Sequence, residues 1–180
     1  VTSETVRAAA EVDGPLRLAR MDGLLTDQRG VVLVIYVADC LAIYLCHRAG
    51  PAVGLAHAGW RGLAAGMAGE FARRALEVCG GSPEDLDLIL SPGIGPCCFE
   101  VGEEVAAAFE EVPGAVDRSR ELPHVDLRRV ALAQLESVGV RRGQVEMWDE
   151  CTRCNRATFA SYRAEGAECG TNLALVGLSP

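Results

Sequence analysis

The chain has 180 residues, and apolar side chains make up 49% of them. A chain of this size and composition is expected to form one globular domain with its own core, which excludes a disordered protein and disfavours two domains. The formal net charge is −8 and no run of five basic residues occurs, so nucleic acid and membrane surfaces are disfavoured as partners.

Apolar runs in the first half predict three strands followed by a helix. Residues 31–37 are continuously apolar and β-branched, which is typical of a buried strand, and residues 41–46 and 52–56 are further strand candidates. The next apolar positions recur at near-helical spacing. They predict a helix over 63–78 that ends at the glycine pair 80–81.

The second half predicts a strand over 86–90, then a loop rich in glycine and proline. Helices follow over 103–112 and 127–138, the second with Asp126 as its N-cap. Three further strands are predicted at 144–148, 158–162 and 173–178. This order of elements indicates a single α/β domain with a mixed sheet.

Cys40 and His57 each follow an apolar strand. If those strands are neighbours, their carboxyl ends meet at the sheet edge where open α/β folds place their sites. Thiolate and imidazole are good zinc ligands, although a catalytic zinc takes three protein ligands and a water. The same pair could act as nucleophile and base, or be a buried cysteine and a histidine bonded to a carbonyl.

Asp39 precedes Cys40 at the end of an apolar strand, so its carboxylate needs a partner. Arg61, four residues after His57, is the obvious one. Two interpretations of Arg61 stay open: an ion pair with Asp39 that fixes the loop, or a cation that orients a substrate or binds phosphate.

The chain contains eight cysteines. Most lie in apolar stretches of a chain that is large enough to fold without cross-links, so we interpret them as reduced thiols. The lone C-x2-C at 151–154 would need two more ligands, from Cys97, Cys98 or Cys169, to hold a structural zinc. The "GIGPCC" segment fits no phosphate-binding loop, and structural cysteines are favoured at both places.

Five motifs occur in an order that resembles a known family. They are "ADC" at 38–40, "HAGWRGLAAG" at 57–66, "GIGPCCFEVGEEV" at 93–105, "HVDL" at 124–127 and "SYR" at 161–163. Together they resemble the laccase-domain, or YfiH-like, family, once described as multicopper polyphenol oxidases. The resemblance covers nearly the whole chain.

The resemblance implies an α/β (α+β) sandwich with mixed sheets flanked by helices, similar also to the deamidase domain of cytotoxic necrotizing factor toxins. It implies zinc-dependent chemistry on purine nucleosides, namely phosphorolysis and the deamination of adenosine, with nucleoside and phosphate as partners. In the family a cysteine and two histidines hold the zinc. Cys40 and His57 match two of these ligands and are the candidate catalytic residues. Asp39, Arg61 and Arg163 are the candidate substrate-binding residues.

The sequence departs from the family at the remaining ligand. Thr2 stands where the family has its second zinc histidine, and two strong ligands hold zinc more weakly than three. His47 and Cys46 are the candidates to replace it. Ala164 and Asn172 stand where the family has arginines, which removes positive charge near the site.

We expect residues 1–180 to form one laccase-domain-like domain that lacks the family's N-terminal segment, in a cytoplasmic protein. Homo-oligomers stay open. Three functions are considered: a zinc-dependent purine nucleoside phosphorylase or deaminase, weakened by Thr2; a metal-free hydrolase or deamidase that uses Cys40 and His57; and a nucleoside-binding paralogue without turnover. Copper is disfavoured, because three histidines cannot build a multicopper cluster.

Overall fold

A computed structural model describes Gly14 and residues 21–179. Its main sheet has five strands: β1 (Gly23–Thr26), β3 (Leu41–His47), β4 (Ala52–Ala58), β5 (Leu86–Leu90) and β8 (Val145–Met147). Their spatial order is β1-β4-β3-β5-β8. Neighbouring strands are antiparallel except for β5 and β8, which run parallel.

A two-stranded ribbon lies against one face of this sheet. It pairs β2 (Val32–Val37) with β9 (Asn172–Gly177) in antiparallel register. Its inner side chains, Leu33, Ile35, Val37, Ala174 and Val176, pack on Ala42, Tyr44 and Leu55 of the main sheet. Its outer side chains are exposed, with Tyr36 at 62%. The strand predicted over 31–37 is confirmed as β2. The prediction that it is buried is wrong, because only every second residue of β2 faces the core.

Helices cover the other face of the main sheet. They are α1 (Trp60–Ala64), α2 (Met67–Cys79) and α4 (Leu127–Ser137), and the alternate β3 residues Leu41, Ile43 and Leu45 point into the core beneath them. The remaining elements are short: α3 (Glu103–Ala107), α5 (Tyr162–Glu165), and the small antiparallel pair β6 (Val116–Asp117) and β7 (His124–Val125). No helix in the described part of the chain is both long and apolar enough to cross a membrane.

Several predicted elements need correction. The helix predicted over 63–78 is two helices, because the chain turns through Gly66 at a φ of +83°. The helix predicted over 103–112 ends at Ala107. The strand predicted over 158–162 is absent from the described structure, since the Asn172 side-chain amide takes both backbone groups of Ala160 and the next residues enter α5. The other predicted strands and the helix capped by Asp126 are confirmed, with ends that shift by one or two residues.

Candidate functional site

Cys40 and His57 meet at one end of the main sheet. Cys40 directly precedes β3 and His57 lies near the end of β4, and the antiparallel register places the next β3 residue, Leu41, opposite Ala58. Gly59 stands between the two side chains: a Cβ there would lie 2.9 Å from the Cys40 Sγ and 3.5 Å from the His57 Cε1. The two residues lie close together, as expected if their strands are neighbours. Cys40, however, stands before the amino end of β3 and His57 near the carboxyl end of the antiparallel β4, so two carboxyl ends do not form the site.

An aspartate that sequence reasoning missed lies beside the His57 ring. The Oδ1 of Asp22 lies 3.6 Å from the His57 Nδ1, and the His57 backbone N–H donates to the Asp22 carbonyl at 2.7 Å. A carboxylate on one ring nitrogen is the usual way to fix an imidazole whose other nitrogen binds a metal or moves a proton. Asp22 lies next to β1, thirty-five positions before His57, and no local motif marks it.

Asp39 is buried at the turn between β2 and β3. Its backbone has a φ of 76°, a left-handed conformation that is uncommon outside glycine. Its Oδ1 accepts a hydrogen bond from the Thr152 hydroxyl at 2.6 Å, and its Oδ2 accepts one from the Arg163 backbone N–H at 2.7 Å. The carboxylate therefore holds three chain segments together beside Cys40.

The ion pair between Asp39 and Arg61 that the sequence left open is not formed. The Arg61 guanidinium lies over the Trp60 ring, 4.4 Å from its centroid, and has no carboxylate partner among the residues that the structure describes. Arg163 is engaged elsewhere, since its guanidinium donates to the carbonyls of Cys98 and Glu100 and lies near the Phe99 ring. Arg61, four residues after His57 in the chain, therefore remains available as a cation.

The Cys40 thiol is held in its neutral form. Burial raises its pKa, and the negative charge of Asp39 raises it further. Within the described part of the chain, the His57 ring lies near Asp22 and forms no hydrogen bond with Cys40. A nucleophilic cysteine needs a lowered pKa and a base in contact, and this site provides neither feature in its metal-free form.

The candidates for a replacement third ligand do not reach the site. His47 and Cys46 lie at the far end of β3, and seven residues of strand span about 23 Å. His47 is already engaged, with its Nε2 2.9 Å from the Gly80 carbonyl. His124 is engaged too, and its Nδ1 lies 2.6 Å from the Pro96 carbonyl. Thr2 lies outside the described residues.

The donor set at this end of the sheet fits zinc in part. A thiol and an imidazole converge, the imidazole has a carboxylate behind it, and the glycine between them leaves space that a side chain would fill. The described structure offers two protein ligands, Cys40 and His57, whereas a catalytic zinc normally has three. A multicopper cluster does not fit, because only one of the three histidines lies beside Cys40.

Comparison with known proteins decides the family. The profile of the family described as "Multi-copper polyphenol oxidoreductase laccase" matches residues 1–179. The chain belongs to this family. Among relatives of this laccase family, purine nucleoside phosphorylase YlmD of Geobacillus stearothermophilus is 35% identical over 163 residues, which are 87% of this chain and 60% of that protein.

Two further relatives carry two different activity names. Purine nucleoside phosphorylase YfiH of Escherichia coli is 36% identical over 156 residues, which are 84% of this chain and 61% of that protein. Adenosine deaminase RL5, from an unknown prokaryotic organism, is 31% identical over 179 residues, or 94% of this chain and 67% of that protein.

The fold agrees with the family assignment. The crystal structure of the Geobacillus stearothermophilus YlmD matches with a TM-score of 0.84 at 34% identity, over 88% of this chain and 61% of that one. The predicted mixed α/β fold of the laccase-domain type is therefore confirmed. The chain spans about 60% of the length of the YlmD and YfiH relatives.

Proposed function

We propose that this chain carries the nucleoside site of a purine nucleoside phosphorylase or adenosine deaminase, with a zinc ion on Cys40 and His57. The observation that supports this most is the convergence of the Cys40 thiol and the His57 ring around Gly59, with Asp22 behind the ring. The names of the relatives supply the substrate class, because each describes chemistry on a purine nucleoside.

Each residue has a defined task in this proposal. Cys40 and His57 hold the zinc, which supplies a Lewis acid and lowers the pKa of a water when it is bound. Asp22, whose Oδ1 lies 3.6 Å from the His57 Nδ1, is placed to orient the ring when the metal is bound, and Asp39 positions Cys40 through its bonds to Thr152 and Arg163. Because both oxygens of Asp39 are taken, we assign it a positioning role and not a direct contact with substrate.

The exposed Arg61 is proposed to bind the anionic co-substrate. In phosphorolysis a phosphate oxygen attacks the ribose C1′, and the base leaves with the electrons of the C1′–N9 bond. A guanidinium without a carboxylate partner suits the bidentate geometry of phosphate. The Arg163 side chain is proposed to hold the loop that contains Cys98, since it donates to two carbonyls there.

The test is turnover of inosine, adenosine and methylthioadenosine with and without phosphate, followed by chromatography of the bases and nucleosides. We expect base release that needs phosphate, or conversion of adenosine to inosine, and loss of either in His57→Ala. Arg61→Ala should raise the KM for phosphate roughly tenfold, or about 1.4 kcal/mol, whereas the distant control Arg73→Ala should not.

Zinc-loaded wild-type protein that turns over none of these nucleosides would overturn the proposal. Nucleoside binding without turnover would instead support a binding protein. We also propose that the protein is cytoplasmic and that its partners are small molecules, with no nucleic acid or membrane among them. The net charge of −8 supports the exclusion of nucleic acid and membrane surfaces.

The metal-free hydrolase is tested by the reactivity of Cys40. Because burial and then Asp39 raise the pKa of this thiol, its thiolate fraction at pH 8 is below that of an ordinary cysteine. We expect iodoacetamide to label Cys40 in chelator-treated protein more slowly than it labels glutathione at pH 8, and the rate to rise only at higher pH. Fast labelling below pH 8, measured by peptide mass spectrometry, would favour the hydrolase instead.

A further inference from the structure

Four cysteines from two distant segments converge beside the candidate site. Cys97 and Cys98 lie in the loop after β5, and Cys151 and Cys154 lie in the loop after β8. The parallel pairing of β5 and β8 continues into these loops, where Gly93 bridges to Cys151. The two cysteine pairs are thereby brought to the same edge of the sheet. The sequence offered Cys97 and Cys98 as possible partners of the C-x2-C but could not show that they lie next to it.

The spacing of the sulphur atoms matches a tetrahedral metal site. All four lie within 4.8 Å of one another, and the Cys154 Sγ is 3.7 Å from that of Cys97 and 3.5 Å from that of Cys98. A tetrahedron with metal–sulphur bonds of about 2.3 Å has edges of about 3.8 Å. A disulfide would need two sulphurs about 2.05 Å apart, and it would join only two of the four.

We propose that Cys97, Cys98, Cys151 and Cys154 bind one zinc ion in a closed, structural four-thiolate site. Four thiolates in tetrahedral arrangement favour zinc among the common metals, and four protein ligands leave no position for a substrate. The site uses neither Cys40 nor His57 and is independent of the proposed nucleoside chemistry. On binding, each thiol that is protonated releases its proton, so four thiolates and one Zn²⁺ carry a net charge of −2.

The surroundings of the cluster suit that negative charge. The Arg153 guanidinium lies beside the Cys98 thiol. Arg120 and Arg163 donate to the carbonyls of Cys97 and Cys98, and the Gly95 backbone N–H donates to the Cys151 Sγ at 3.2 Å. Donors and cations around the thiolates are the outer shell that zinc–sulphur sites require.

Gly95 leaves the space in which the sulphurs gather. A Cβ on Gly95 would stand 3.2 Å from both the Cys97 Sγ and the Cys151 Cβ. Cys98 and Cys151 are 9% and 7% exposed, whereas Cys97 and Cys154 reach the surface, so an ion can enter from solvent. Of the three cysteines that the sequence offered as further ligands, Cys97 and Cys98 belong to the cluster and Cys169 does not.

A metal at this place would stabilise the candidate active site indirectly. Thr152, which lies inside the C-x2-C, donates to the buried Asp39 next to Cys40. The Ile94 backbone N–H, in the other cysteine loop, donates to the Asp39 carbonyl at 2.8 Å. Joining the two loops through zinc fixes both contacts at once.

The test counts zinc by elemental analysis in protein purified under reducing conditions with zinc present. We expect Cys97→Ser with Cys154→Ser to lose about one zinc per chain relative to the control Cys79→Ser with Cys169→Ser, whose cysteines lie outside the cluster. The two surface cysteines are chosen because their replacement disturbs the core least. In Cys40→Ala with His57→Ala, the extended fine structure of the zinc X-ray absorption spectrum should show four sulphur neighbours at about 2.3 Å.

The Cys40→Ala, His57→Ala variant keeps the test valid even if Cys97→Ser with Cys154→Ser misfolds, because it leaves the four clustered cysteines intact. Equal zinc in the cluster variant and its control would overturn the proposal. So would nitrogen or oxygen neighbours in the absorption spectrum, iron or copper in place of zinc, no zinc in Cys40→Ala with His57→Ala, or a disulfide within the cluster detected by mass.

Discussion

Gly59 determines whether the side chains of Cys40 and His57 can lie next to each other. Its backbone has a φ of −80° and a ψ of 171°, which alanine also adopts without strain. The need for glycine is therefore one of space, since the absent Cβ would lie 2.9 Å from the Cys40 sulphur. Sequence reasoning identified "HAGWRG" as a motif but could not give this reason, because Cys40 is distant in the chain.

The corresponding prediction compares two glycines three positions apart. Gly59→Ala should displace the Cys40 thiol, lower activity at least tenfold and cost about 1–3 kcal/mol of unfolding free energy through crowding. Gly62→Ala is the control, since its new methyl group meets nothing closer than 3.5 Å and it adds helix propensity. Activity and urea unfolding check both variants, and equal activity in the two would contradict the steric explanation.

Thr152 satisfies a buried charge, and its loss should be costly. Thr152→Val removes the hydroxyl that donates to the Asp39 Oδ1 and keeps the volume, so the carboxylate stays buried with one protein donor fewer. We expect a loss of about 1–3 kcal/mol in urea unfolding, whereas Thr152→Ser should retain most of the stability. A stability for Thr152→Val equal to that of wild type would show that this hydrogen bond contributes nothing.

For helices and strands, the sequence predicted the type of each element better than its first and last residues. The apolar runs of β3, β4 and β5 and the Asp126 cap of α4 are local features, and they were identified correctly. The break between α1 and α2 depends on Gly66 and on Gln134 of a distant helix, which donates to the Leu63 carbonyl at 2.5 Å and accepts from the Ala68 backbone N–H at 3.1 Å. No periodicity in 63–78 contains that information.

Gln134 of α4 should therefore contribute strongly to stability, because it bonds to both the end of α1 and the start of α2. Gln134→Leu leaves the end of α1 and the start of α2 without these partners, and we expect a cost of about 1–3 kcal/mol in urea unfolding. Glu136→Leu is the matched control, since Glu136 is exposed on the same helix and its replacement should change stability by less than about 0.5 kcal/mol. Similar costs for the two variants would argue against a bridging role.

At the scale of the whole molecule, the site depends on pairings between distant segments. The parallel β5–β8 pair brings Cys97 and Cys98 to Cys151 and Cys154, and the turn before β3 collects Thr152 and Arg163 around Asp39. Sequence motifs marked most of these residues but not their partners, because long-range register is set by the packing of the core. The likeness to the toxin deamidase fold stays a prediction.

The most direct measurement is the zinc content of wild-type protein beside that of Cys40→Ala with His57→Ala, by elemental analysis of samples purified together. Our account predicts a difference of about one zinc per chain, with the four-cysteine zinc retained in both samples. The same zinc content in the two proteins would contradict the proposal that Cys40 and His57 hold a metal, and with it the zinc-dependent nucleoside chemistry proposed for this chain.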